Sequence, residues 1–166
     1  MLEKFSNFIY NKLYPNVNQI ADRLWLGNSL SPLDTDFIRA NNINVIVNCT
    51  PDLPFGELDG IKTFRISVYD SLLEKDMILM EQYFHIVLPQ LHNLYSNPKT
   101  NILIFCRMGK QRSAIVMAAL LKTLQFALPN NQSTFQYIIS KRPQAFTHGY
   151  RVNFKRAYDR YFCINP

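Results

Sequence analysis

Asn101 to Leu121 reads NILIFCRMGKQRSAIVMAALL, and this stretch decides the fold. Its opening, Ile102-Leu103-Ile104-Phe105, is short, apolar and rich in branched and aromatic residues, the pattern of a buried strand. Its end, Ala114 to Leu121, is long and alanine-rich enough for a buried helix. Between them, Cys106 to Ser113 hold a cysteine, a glycine, three cations and a hydroxyl. A strand that passes through a tight loop into a helix aims loop N–H groups and the helix dipole at one point, which suits an anion. A cysteine placed at the start of such a loop has its thiolate favoured by the same field. The stretch therefore offers a nucleophile inside an oxyanion cradle.

The rest of the chain supplies a setting for that loop. With 166 residues, 48% of them hydrophobic, the chain can bury one ordinary core without disulfides or metals. A formal charge of +6 favours anionic partners but does not choose among phosphoprotein, lipid headgroup and nucleic acid. No apolar run approaches the roughly 20 residues a transmembrane helix needs. No signal-peptide pattern opens the chain, and Met1-Leu2 lacks the glycine of a myristoylation signal. Cys49, Cys106 and Cys163 are odd in number for a disulfide framework and too scattered for zinc. A reducing, intracellular and cytoplasmic setting is expected, with no metal and no cofactor.

Apolar residues at Leu2, Phe5, Phe8, Ile9 and Leu13 predict an amphipathic helix over residues 1–15, stopped by Pro15. Residues 16–166 then form one domain. Gln19 to Gly27 predict two short strands meeting at Ala21-Asp22. Ser31 and Pro32 predict a helix start, with Ser31 as cap, running to Ala40. Ile43 to Cys49 and Lys62 to Val68 predict strands, and Asp76 is expected to cap a long helix through Leu91. Ser133 predicts the cap of a helix over Thr134 to Ser140, and a final helix spans about Val152 to Phe162. Strands alternating with helices imply an α/β fold with a central mixed, mostly parallel sheet flanked by helices.

Cys106 and Arg112, separated by five residues and followed by Ser113, resemble the signature loop of the cysteine-based protein phosphatases. The likeness extends along the chain. Ile20 to Asn28 resemble the opening of a dual-specificity phosphatase domain, and Asn42 to Thr50 resemble its buried strand. Ile66 to Asp70 resemble the strand and loop carrying that family's general acid, and Arg142-Pro143 with Asn153-Phe154 resemble its late Arg-Pro element. The resemblance implies a dual-specificity phosphatase catalytic domain over residues 16–166, small and single, of a kind also found in poxviruses. There an N-terminal helix serves as an exchanged or dimer-forming arm; the alternative for residues 1–15 is a helix packed on its own domain.

By that resemblance Cys106 attacks phosphorus, Arg112 and the loop residues Arg107, Met108, Gly109, Lys110 and Gln111 hold the phosphate, and Ser113 bonds the sulfur. Asp70 is the expected proton donor, with Asp76 as the competing assignment. His85, His92 and His148 are assigned no chemistry. The expected substrates are phosphotyrosine and phosphoserine/threonine proteins. Arg107 and Lys110 leave phosphoinositides or inositol polyphosphates open as the alternative, since relatives acting on them carry similar basic residues. Cys49 is expected beside the loop, where lipid-directed relatives form a reversible disulfide with the nucleophile. One departure is Phe105, which stands where the family has a histidine that orients the loop. A phenyl ring donates no hydrogen bond, so either the loop is held differently in a retuned enzyme, or the domain binds phosphate without turnover. The retained cysteine, arginine and acid favour the enzyme.

Overall fold

The computed structural model describes residues 14–56, 59–147 and 152–163. The expected N-terminal helix, with the dimer arm built on it, and His148 lie outside the described residues. Five strands form one sheet: β1 (Val17–Ala21), β2 (Leu24–Gly27), β3 (Val45–Asn48), β4 (Lys62–Arg65) and β5 (Ile102–Phe105), in the order β1-β2-β5-β3-β4. β1 and β2 pair antiparallel, while β2-β5, β5-β3 and β3-β4 are parallel. The mixed, mostly parallel sheet is thus observed. β5 lies in its middle, buried at all four positions, as a strand with neighbours on both edges and layers on both faces should be.

Alternation along β5 sends its side chains to opposite faces. Ile102, Ile104 and then Cys106 join the larger core, which holds Met80, Phe84, Leu88 and Leu91 of α2 (Glu74–Tyr95). The same core takes in α3 (Arg112–Thr123), buried without interruption from Arg112 to Leu121. That helix tolerates apolar residues all round because it is wedged among β2, β5 and its neighbouring helices. Leu103 and Phe105 join the smaller core of Ile38, Ile43 and Ile46, with Trp25 edge-on to Phe37 at 5.1 Å. α4 (Thr134–Lys141) starts with the expected cap, a full capping box between Ser133 and Gln136. α5 (Lys155–Tyr161) closes the described chain, packed on α2.

Two helix starts differ from expectation. Ser31 does not cap a continuous helix. Residues Ser31–Leu33 make one 3-10 turn, and α1 (Thr35–Ala40) begins afresh with Asp34 Oδ1 accepting from Phe37 N at 2.9 Å. Ser31 is instead buried against Gly27, its Oγ donating to Asn28 O at 2.6 Å. Asp76 is not the cap of α2 either; Leu73 holds that position and Asp76 lies inside the first turn. Its carboxylate accepts a short hydrogen bond from Ser71 Oγ, so it turns back to brace the preceding loop rather than the helix end.

Candidate active site

The parallel strands β2, β3, β4 and β5 all end on one edge of the sheet, where open α/β sheets form their binding crevices. Cys106 leaves the end of β5, with Asn28-Ser29 beyond β2 on one side and Cys49 to Asp52 beyond β3 on the other. Past β4 the chain runs through Ile66 and Val68 to Asp70. The topology alone therefore gathers the predicted nucleophile and both loops that flank it.

The loop from Cys106 to Arg112 is held by its carbonyls. Arg107 O accepts from Ser29 N at 3.2 Å, and Lys110 O from Phe146 N at 2.7 Å. Gly109 O accepts from Arg142 Nε at 2.9 Å, and Met108 O from Arg142 Nη2 at 3.5 Å. Among the described residues, the N–H groups of Arg107, Met108, Gly109 and Lys110 donate to no acceptor. With its carbonyls fastened to neighbouring elements, the loop keeps a run of amides for an anion, which is how a backbone nest works. Gly109 has to be glycine. Its φ is +64°, and a Cβ there would sit 2.5 Å from Gly27 O and 2.6 Å from Arg142 Nη2.

Arg142 is the residue that imposes this geometry, and it is 1% exposed. Besides the two loop carbonyls, its Nη1 donates to Pro15 O at 3.0 Å and Asn18 Oδ1 at 2.6 Å. Burial pulls its pKa down to about 10, partly offset by the sulfur of Cys106. It remains a cation at neutral pH and adds positive potential behind the cradle. In the sequence it shows only as half of the Arg-Pro element, a charged residue with no local partner.

Arg112 closes the cradle. It is 6% exposed, and its Nη1 donates to Val68 O at 3.1 Å. Its buried Nε has no hydrogen-bond partner and lies 3.8 Å from Asp70 Oδ2. An orphaned buried guanidinium N–H costs stability unless an anion occupies it. Ser113, fully buried, donates from Oγ to Cys106 Sγ at 3.1 Å, a bond that favours negative charge on sulfur. Phe105 takes no part, because its ring faces the other side of the sheet among Ile46 and Leu103. Ser29, Arg142 and Phe146 fasten the loop by other means.

The remaining predicted residues sort differently. Arg107 reaches away to Asp52 Oδ2 at 2.7 Å, on a loop stiffened by Arg65, which donates to Thr50 O and Leu53 O at 2.7 and 3.0 Å. Met108 is exposed. Lys110 lines a hollow of about 410 Å³ with Asn28, Arg142 and Gln144, beside the loop. The Gln111 side chain, buried, accepts from Asn153 N at 3.0 Å. Cys49 N donates to Phe105 O at 2.8 Å. Burial first, and the charge of Cys106 second, push the Cys49 thiol well above its ordinary value of 9.0, against a smaller opposite pull from Arg112. Asp70 stands beside Arg112, whereas Asp76 is buried against Ser71.

The sequence profile described as "Dual specificity phosphatase, catalytic domain" matches residues 24–156. No curated protein matches the chain by sequence. Among solved structures, human DUSP28 superposes with a TM-score of 0.74 at 20% identity, over 89% of this chain and 93% of that one. OH1 from the Orf virus, described as a tyrosine phosphatase with triple substrate specificity, gives 0.69 at 16% identity over 92% and 90%. The human tyrosine phosphatase-like serine/threonine/tyrosine-interacting protein gives 0.69 at 15% over 89% and 96%. At such identities these likenesses speak for the fold.

Proposed function

The chain belongs to the dual specificity phosphatase family, and from that premise we propose that it hydrolyses phosphate monoesters through a phosphocysteine on Cys106. The observation that carries this reading is a loop fastened by its carbonyls, opened by a cysteine whose sulfur accepts from the Ser113 hydroxyl and closed by the buried, unpartnered Arg112 Nε. Phosphoryl transfer is mostly positioning and charge stabilisation, which is what this arrangement supplies. The Cys106 thiolate attacks phosphorus; the S–P bond forms as the ester P–O bond breaks. Arg112 holds equatorial oxygens with its planar fork. Asp70 gives its proton to the departing oxygen, then takes one from the water that attacks the phosphocysteine. As the S–P bond breaks, Ser113 Oγ steadies the leaving sulfur.

Phosphotyrosine and phosphoserine/threonine proteins are the proposed substrates, from family membership. The inositol polyphosphate alternative rests on Arg107 and Lys110, of which Arg107 forms an exposed ion pair with Asp52. Oxidation reaches the same sulfur. A peroxide converts the Cys106 thiolate to a sulfenic acid, and the Cys49 thiol then displaces water to form a disulfide. The cysteines of the described residues are all free, which suits a reducing, intracellular and cytoplasmic setting.

The test is phosphate release from p-nitrophenyl phosphate by wild type and Cys106→Ser, followed by phosphopeptides and inositol phosphates. Release by wild type alone is the expected result. Equal inertness of both at saturating substrate overturns the enzyme; tight phosphopeptide binding without release identifies a phosphate-binding module instead.

A further inference from the structure

Asp70 is almost bare of fixed support. Tyr69 is 62% exposed and Leu72 73%, and the aspartate's own side chain has two described partners. One is Arg112, whose Nε stands 3.8 Å from Oδ2, an atom the bound phosphate would occupy itself. The other is Asn153, whose Nδ2 donates to Oδ1 at 3.3 Å. The backbone N–H of the same asparagine donates to Gln111 Oε1 at 3.0 Å, and Gln111 is the last residue of the cradle before α3. Asn153 thus spans the two halves of the site, with one donor on each.

Its own placement is secure on the side away from the site. Phe154, next in the chain, is fully buried. On α5, Arg156 and Arg160 reach Glu74 at 3.0 and 2.6 Å, so the segment that carries Asn153 also grips the far end of the acid loop.

We infer that Asn153 is the positioning residue of the general acid, fixing the Asp70 carboxyl at a set distance from the phosphate through its bond to Gln111. The inference rests on Asp70 being the acid of the proposed reaction. With Oδ1 tethered by the amide, Oδ2 is the oxygen left to carry the proton to the leaving group as the P–O bond breaks. Once phosphate engages Arg112 Nε, the amide is the remaining described side-chain contact that orients the carboxyl. A misplaced general acid costs rate only where the leaving oxygen needs its proton.

The test compares aryl phosphates whose leaving groups run from strongly acidic phenols to phenol itself, which has the basicity of tyrosine, pKa about 10. Asn153→Ala deletes the Asp70 contact and keeps the backbone bond to Gln111. We expect kcat to fall about tenfold on phenyl phosphate and less than about twofold on the most acidic phenol. Asn153→Asp, of the same shape but with a carboxylate facing Asp70, should fall further. On an Asp70→Asn background, Asn153→Ala should change nothing more, since both act through one proton. An equal loss on every substrate, or additive losses in the double variant, overturns the inference and leaves a general structural role. If Asp70→Asn itself shows no dependence on the leaving group, the acid assignment fails first, and the inference with it.

Discussion

In the proposed reaction the loop around Cys106 and the loop around Asp70 share one job, but they are built on opposite plans. The first has Cys106, Gly109, Gln111 and Arg112 buried and is fastened at consecutive carbonyls by Ser29, Arg142 and Phe146. The second exposes Tyr69, Leu72 and Leu73 and is held at its ends, by Asn153 on Asp70 and by Arg156 and Arg160 on Glu74. Between those ends, Ser71 folds onto Asp76. Charge stabilisation needs fixed dipoles that do not reorganise when the phosphate arrives. Proton donation has to accommodate substrate entry and two successive proton transfers, and surface loops with few buried contacts are the parts of a fold that can move.

The sharpest way to break this contrast is to attack the rigid half from behind. Arg142→Leu leaves the buried Gly109 carbonyl and the part-buried Met108 carbonyl without their Arg142 donors, and an orphaned buried acceptor costs about 1–3 kcal/mol. A stability loss of roughly 3 kcal/mol or more in urea unfolding is expected. Activity should fall on all substrates alike, the opposite of the substrate-dependent signature expected for Asn153. Stability near that of wild type would mean that the cradle does not need its buried cation.

A smaller effect concerns the sulfur pair. After brief peroxide treatment, wild type should recover activity with a dithiol and show a Cys49–Cys106 linked peptide. Cys49→Ser should recover less, as unprotected sulfenic acid passes on to irreversible sulfinic acid. Because its thiol lies well above 9.0, Cys49 reacts as a mostly protonated group, so linkage should speed up with rising pH. Equal recovery in both proteins would remove Cys49 from the site.

The smallest effect belongs to the exposed half. Hydrogen bonding from Arg160, with smaller pulls from the charges of Arg156 and Arg160, outweighs the opposing effect of burial and holds Glu74 below its ordinary 4.5. Its folded value being lower than its unfolded one, the ion pair contributes fully above pH 4.5 and is lost as pH falls through the folded value. Melting temperatures of wild type and Glu74→Gln should therefore differ slightly at neutral pH and converge in acid. Added salt should shrink the difference, because these groups are exposed. A gap that persists in acid would show that Glu74 acts through packing instead.

The two halves also differ in how much of them can be seen in the chain itself. Cys106, Gly109, Arg112 and Ser113 lie within eight consecutive residues between an apolar strand and an apolar helix. Periodicity and spacing suffice there, because the strand and helix are local structures and the loop between them has little freedom. The order of strands and helices likewise follows from apolar runs and turn residues, although the strands are shorter than those runs suggest and two helix starts were misplaced. Ser31 and Asp76 both have the chemistry of caps, but each finds a tertiary or neighbouring-loop partner that a cap rule does not weigh.

What three-dimensional packing alone decided is which polar residues serve the site. Arg142 meets Gly109 across 33 positions, Asn153 meets Gln111 across 42 and Asp70 across 83. Arg107, basic and inside the loop, turns instead to Asp52, 55 positions away. Hydrogen bonds are short and directional, so a donor's worth depends on where the folded chain puts it, and spacing in sequence carries no record of that. The proposed nucleophile loop could be recognised from its own residues; its supports and the proposed acid's tether required the fold.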